Sequence, residues 1–303
     1  MQGLMFTSAG DRNEAATFLS PLAGGGLDSE LHLTINGGII NITAGNDGIN
    51  TNEDNISVTT INGGRLNILC DGSTGEGDGI DSNGWLAING GTVTAQACST
   101  SGDAGIDSDM GIYINGGKVI AIGNMLDHIA GGDQTYVVFG FASRQKGGSA
   151  YTLKKPLGKK VSFTPTNDFT YLIVAGDELK PGDYTFWQDD TQLAASKAQN
   201  LQGGMPGGAR PEMPNSQQGT PPEMPQGAEM PTMPERTDRP EMPNGTPPEM
   251  PTGERPEQFQ GGTPPENGGG MLGGNMMTNG ETSTTFTITK GGNQFVNIGP
   301  ESD

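Results

Sequence analysis

A chain of 303 residues with a net charge of −19, 51 glycines and only 6% aromatic residues is rich in turns and poor in the bulky side chains that fill a wide core. Its acidity argues against a nucleic-acid partner, which needs a basic face. It favours cations and neutral or basic partners. No run approaches the roughly 20 apolar residues of a membrane span.

Residues 1–25 show no periodicity, end in Gly24-Gly25-Gly26 and are expected to form an N-terminal loop or cap. Met1 to Leu22 lacks the basic-then-apolar pattern of an export signal. Because repeats begin almost at once, the expectation is a fragment or mature form of a longer extracellular or cell-surface protein.

From 26 to 130 the chain repeats. Ile-Asn-Gly-Gly recurs at Ile35, Ile61, Ile88 and Ile114, and each copy follows a Gly-apolar-Asp/Asn-Ser/Thr tetrad beginning at Gly26, Gly48, Gly79 and Gly105. Around each Asn-Gly-Gly, apolar residues alternate strictly, as in Leu86, Ile88, Val93 and Ala95 or Ile112, Ile114, Val119 and Ala121. Alternation of period 2 means strands with one buried face, and the glycines permit a sharp corner between them. Units of about 26 residues cannot each bury a core alone, so they must stack. The expected fold is all-β: a right-handed parallel β-helix of about four rungs. Asn36, Asn62, Asn89 and Asn115 then form either an amide column or four separate turn residues. Cys70 and Cys98 follow equivalent strands, offset by one position, and are either a disulfide or two buried thiols.

From 131 to 202, and again from 282 to 299, the pattern changes to short strands between turns, including Tyr136–Phe141, Phe169–Val174, Tyr184–Trp187 and Phe295–Ile298. An antiparallel β cap or small sandwich is expected there, covering the open end of the solenoid. Residues 203–281, rich in Pro, Met and Glu, read as a disordered insertion in the cap. Its methionines could ligate Cu(I), but Pro spacing with interleaved Glu reads as a flexible spacer.

Stacking converts the repeats into columns. Asp28, Asn50, Asp81 and Asp107 fall in one file, with Asp47, Asp78 and Asp103 just ahead of the turns. Carboxylates about 5 Å apart repel by about 1 kcal/mol in water and about 3 kcal/mol at an effective dielectric of 20. They need protons, separation or a cation. An all-oxygen donor set suits Ca²⁺, whereas His32 and His128 are too few for a Zn²⁺ site. Alternatively each Asp bonds only its own loop backbone. On the outward side of adjacent rungs stand Trp85 and Tyr113, displaced by two positions, which either stack on sugar rings or pack under a loop. Arg65 and Lys118 occupy equivalent outward slots two rungs apart.

The rungs Gly77 to Gly84, Ile88 to Val93 and Gly116 to Gly123 resemble the secreted bacterial carbohydrate-binding β-helix family, a similarity spanning Gly26 to Gln202 and Thr284 to Gly299. The resemblance implies a polysaccharide-lyase-like fold that binds cellulose or pectic acid without cleaving it, with Ca²⁺ at Asp47, Asp78, Asp81, Asp103 and Asp107. Against that family the sequence is expected to differ in having fewer N-terminal rungs and no export signal, and it carries the Pro/Met/Glu insertion. The expected function is therefore Ca²⁺-supported, non-catalytic polysaccharide binding through Trp85, Tyr113, Arg65 and Lys118. Two alternatives are a Ca²⁺-dependent pectate-type lyase on the same fold and a structural surface component without a glycan ligand.

Overall fold

The computed structural model describes residues 3–6, 15–19, 25–156, 158, 160–198 and 281–300, and every regular element among them is a β-strand. The coils contribute, in chain order, β1 (Gly3–Phe6) and β2 (Ala15–Leu19), then β3 (Leu27–Ser29), β4 (His32–Ile35) and β5 (Ile39–Ala44), then β6 (Ile49–Thr51), β7 (Val58–Ile61) and β8 (Arg65–Cys70). They continue with β9 (Ile80–Ser82), β10 (Trp85–Ile88), β11 (Thr92–Gln96), β12 (Gly111–Ile114), β13 (Lys118–Gly123) and β14 (Ile129–Gly131).

These strands stack in parallel into three sheets: β1-β4-β7-β10-β12-β14, β2-β5-β8-β11-β13 and β3-β6-β9. Identical positions stand in register, so that Ile35, Ile61, Ile88 and Ile114 form one buried file and Leu66, Val93 and Val119 another. The parallel β-helix expected from side-chain parity is the observed architecture. The N-terminal segment, read from sequence as a loop or cap, carries β1 and β2, which extend two sheets by one strand each through pairing with β4 and β5. Neither repeat landmark occurs there, so nothing in its pattern announced them.

The asparagines form the column. Asn62, Asn89 and Asn115 each donate their side-chain amide to the Asn Oδ1 one coil earlier, at 2.8 Å in every case. A second pair, Asn67 to Asn41 at 2.7 Å, lies on the neighbouring sheet. At each corner the second glycine, for example Gly91 at φ 87°, is left-handed, and a Cβ there would come within 2.7 Å of the Gly64 carbonyl. Stacking distance as well as backbone conformation thus requires glycine.

The cap comprises β15 (Tyr136–Gln145), β16 (Tyr151–Lys154), β17 (Lys160–Phe163), β18 (Phe169–Ala175), β19 (Gly182–Gln188), β20 (Thr191–Lys197), β21 (Phe286–Ile288) and β22 (Gly292–Pro300). Its pairings are antiparallel except β15 with β22, which run parallel. The expected insertion, 203–281, lies outside the described residues apart from its last position. β18 pairs antiparallel with β13, so helix and cap share one continuous sheet.

That junction explains the apolar run of β13. Its outward positions, Ile120 and Ile122, follow Asn41, Asn67 and Thr94 and Thr43, Leu69 and Gln96 in their files, yet both are buried in the cap core. Beside it, Asn167 donates to the carbonyls of Cys70 and Ala97 at 2.7 Å each, while Gln96 Oε1 accepts from Thr166 N and Asn167 N. The cap loop is thereby pinned to two coils. Both cysteines are buried free thiols, and Cys70 Sγ donates to the Asp78 carbonyl at 2.8 Å.

Candidate functional site

The tetrads build the acidic side of the helix. Leu27, Ile49, Ile80 and Ile106 point inward, which turns Asp28, Asn50, Asp81 and Asp107 away from the core in one file. Behind them the hydroxyls close on one another: Thr51 meets Ser82 at 2.8 Å and Thr59 at 3.1 Å, while Ser108 Oγ donates to the Gly84 carbonyl. This buried hydroxyl chain fixes the turn that carries the acids.

The five expected acids divide into two kinds. Asp47 Oδ1 accepts from Asp78 N at 2.8 Å, and Asp103 Oδ2 accepts from Gly77 N at 2.5 Å and from the Ser101 hydroxyl. These two stitch loops of neighbouring coils together, bonding the backbone of the adjacent coil where the backbone-bonding alternative expected that of their own loop. Asp78, Asp81 and Asp107 instead converge, each offering a carboxylate oxygen within 4.8 Å of the others. Asp78 also accepts from Ala104 N at 2.5 Å.

The electrostatics of the trio are unfavourable for three bare charges. Burial, with the charge of Asp107 next, pushes Asp78 up to about 9. Burial and then Asp47 and Asp109 push Asp81 up to about 7. Asp107 is raised by burial, by the charge of Asp127 and by a hydrogen bond to it. The sole ion pair among the described residues, Lys146 with Asp168, lies in the cap. In the file, Asn50 pairs in register with Asp81, and its Oδ1 is buried without a hydrogen-bond partner. Three converging carboxylate oxygens, with an unpartnered amide oxygen on the residue in register with Asp81, are donor types that fit a hard divalent cation.

Two members of this group were missed in the sequence. Asn50 was placed in the file but not as a donor, because its amide breaks the run of acids. Asp127, whose Oδ2 accepts from Ser108 N at 3.0 Å, follows Met125-Leu126 where the other tetrads have Gly-Leu or Gly-Ile. A degenerate tetrad was the available signal.

On the outward side of the β1-β4-β7-β10-β12-β14 sheet, Trp85 lies opposite Gly111, and Ala87 opposite Tyr113, so the rings are diagonal neighbours. Their centroids are 5.9 Å apart and tilted by 45°. The strands close in on the rings from one side: a Cβ on buried Gly111 would meet Ala130 Cβ at 2.8 Å before approaching both rings, and one on Gly131 would touch Tyr113 at 3.4 Å. Both rings are half-buried.

Arg65 and Lys118 share the file Ile39, Arg65, Thr92 and Lys118 on the next sheet, about 10 Å apart at parallel-strand spacing. They stand across the Asn-Gly-Gly corner from the aromatic pair. The four residues therefore flank one edge and occupy two faces.

Residues 22–147 match the model of a family described as carbohydrate-binding domain-containing protein. That span holds the acid trio, Asn50, Trp85, Tyr113, Arg65 and Lys118, and it ends before β16. Among curated proteins and among solved structures, nothing matches the chain at a significant level.

Proposed function

We propose that the β-helix binds polysaccharide without cleaving it, cellulose or pectic acid being the ligand class, in an extracellular or cell-surface setting. The observation that carries this reading is the half-buried Trp85–Tyr113 pair on the outward side of its sheet, inside the span that matches the carbohydrate-binding family. Aromatic faces set along a β surface offer sugar rings apolar area at low entropic cost. Arg65 and Lys118, across the corner, would meet carboxylates of an acidic chain.

Ca²⁺ would be held by Asp78, Asp81 and Asp107 with Asn50 Oδ1, where it supplies the positive charge the carboxylates lack. In this reading its role is structural. Supporting a non-catalytic role, Arg65 and Lys118 stand on a different sheet from the acids, whereas a lyase needs its cationic base beside the carboxylates.

The test is retention on cellulose and on polygalacturonate, with Ca²⁺ or with chelator. Trp85→Ala is expected to weaken binding about tenfold or more, as loss of an aromatic anchor does. Undiminished binding by that variant overturns the platform, and release of unsaturated uronate establishes the lyase alternative.

A further inference from the structure

The cap carries a surface unlike the rest of the chain. In β16, Tyr151 and Leu153 point into the aromatic core, which turns Thr152 and Lys154 outward; in β19, Tyr184 and Phe186 do the same for Thr185 and Trp187; in β17, buried Val161 leaves Lys160 and Ser162 exposed. Register sets two rows across these strands: Ser162, Thr152 and Trp187 in one, Lys160, Lys154 and Thr185 in the other.

Lys154 and Lys160 are thus directly opposite on paired strands. Like charges in that position destabilise a sheet, and among the described residues neither lysine has a carboxylate partner, although the chain carries 35 acids against 16 bases. Of the acids along β19 and its turn, Asp183 accepts from Thr287 Oγ1 at 2.6 Å and Asp189 from Ala150 N at 2.8 Å, and Asp190 makes no ion pair with either lysine. Lys155 is occupied too, donating to the Pro181 carbonyl. A like-charge pair that no carboxylate offsets marks a surface shaped for something else.

Beside the lysine pair is an aromatic ring. Lys154 Nζ lies 4.0 Å from the centroid of the Trp187 ring, and the indole N–H is fixed by Thr185 Oγ1 at 2.9 Å. The hydroxyls of Thr152 and Ser162 meet at 3.0 Å in the adjoining row. Ammonium groups, an oriented indole and a line of hydroxyls together match a sugar ring that bears a negative charge.

We propose that this face of the cap is a second carbohydrate site, selective for acidic polysaccharide, in which Lys154 and Lys160 meet the anionic groups and Trp187 the sugar ring. It lies outside the span that matches the carbohydrate-binding family and stands independently of the Trp85–Tyr113 reading.

The experiment compares wild type, Lys154→Gln/Lys160→Gln, Trp187→Ala and Trp85→Ala on polygalacturonate, dextran sulfate and cellulose, with near-UV circular dichroism as the folding control. Expected is a loss of about tenfold on acidic glycan for the lysine double variant and for Trp187→Ala, with cellulose retention unchanged in both. Trp85→Ala should lower cellulose retention, so failure of the helix site and failure of the cap site give different patterns. Unchanged affinity of the double variant for both acidic glycans overturns the proposal. Loss in the double variant without loss in Trp187→Ala reduces the face to unspecific charge and also overturns it. So does concentration-dependent dimerisation abolished by the lysine changes, which would assign the face to a second copy. Loss on polygalacturonate alone, or on dextran sulfate alone, supports it and names the anionic group.

Discussion

The β-helix and the cap share one continuous sheet yet are held together by different chemistry. In the helix, parallel in-register stacking sets like residue over like, so the core is a set of Ile, Leu, Val and Ala files with amide columns alongside. In the cap, antiparallel pairing sets unlike residues side by side, and the core is a knot of rings: Phe139 stacks on Phe186 at 4.4 Å, with Phe286 and Phe295 around it. Stacking like over like suits Ile and Asn but penalises Asp, since every copy adds a charge beside the last. The acidic trio is the price of repetition.

The contrast can be broken at several points. Phe139→Ala should cost about 3–5 kcal/mol in urea unfolding, against about 0.5–1.5 kcal/mol for Ile88→Val in the helix; equal costs would show that the cap's stability is not concentrated in its rings.

Cation dependence tests the helix side. Acids whose folded-state pKa is raised keep protons in the folded chain that the unfolded chain releases. Their contribution to stability is full below the ordinary value of 3.8 and drains away as pH rises toward about 7 for Asp81 and about 9 for Asp78. In chelator, stability should therefore fall between pH 5 and pH 9. Ca²⁺ at a hundredfold excess over its dissociation constant should restore about 2.7 kcal/mol near pH 8 and less near pH 5, where protons compete. A melting temperature indifferent to Ca²⁺ at pH 8 would remove the metal from the proposal.

The smallest effect separates the column from its members. Asn89→Ala interrupts two amide bonds and Asn115→Ala one, for losses of about 2 and about 1 kcal/mol. Equal losses would mean that the second bond of Asn89 adds nothing and that the asparagines do not act as a column.

How much of this could be read in advance follows from the same contrast. Period and parity determine the stacked files, so Ile88, Val93, Asn89 and the Asp81–Asp107 file were legible before any coordinates. The sorting of the acids was not. Asp47 and Asp78 both accept a loop amide, and whether the carboxylate also meets Asp81 and Asp107, as that of Asp78 does, depends on loop paths between coils, which have no period. Ile120 and Ile122 escaped for another reason: parity marks them as outward, and only the arrival of β18 buries them. Strands β1 and β2 carry neither landmark, and the pairing of β15 with β22 joins segments more than 140 residues apart, beyond any local signal.

The antiparallel union of β13 with β18 has one more consequence. A stack of parallel coils is in principle an open-ended polymer, because its last strand presents the same hydrogen-bonding edge that accepted every strand before it. β18 enters in the reverse direction and ends the series. At this end the molecule carries its own chain terminator, and a second solenoid cannot continue the sheet from β13 into a filament.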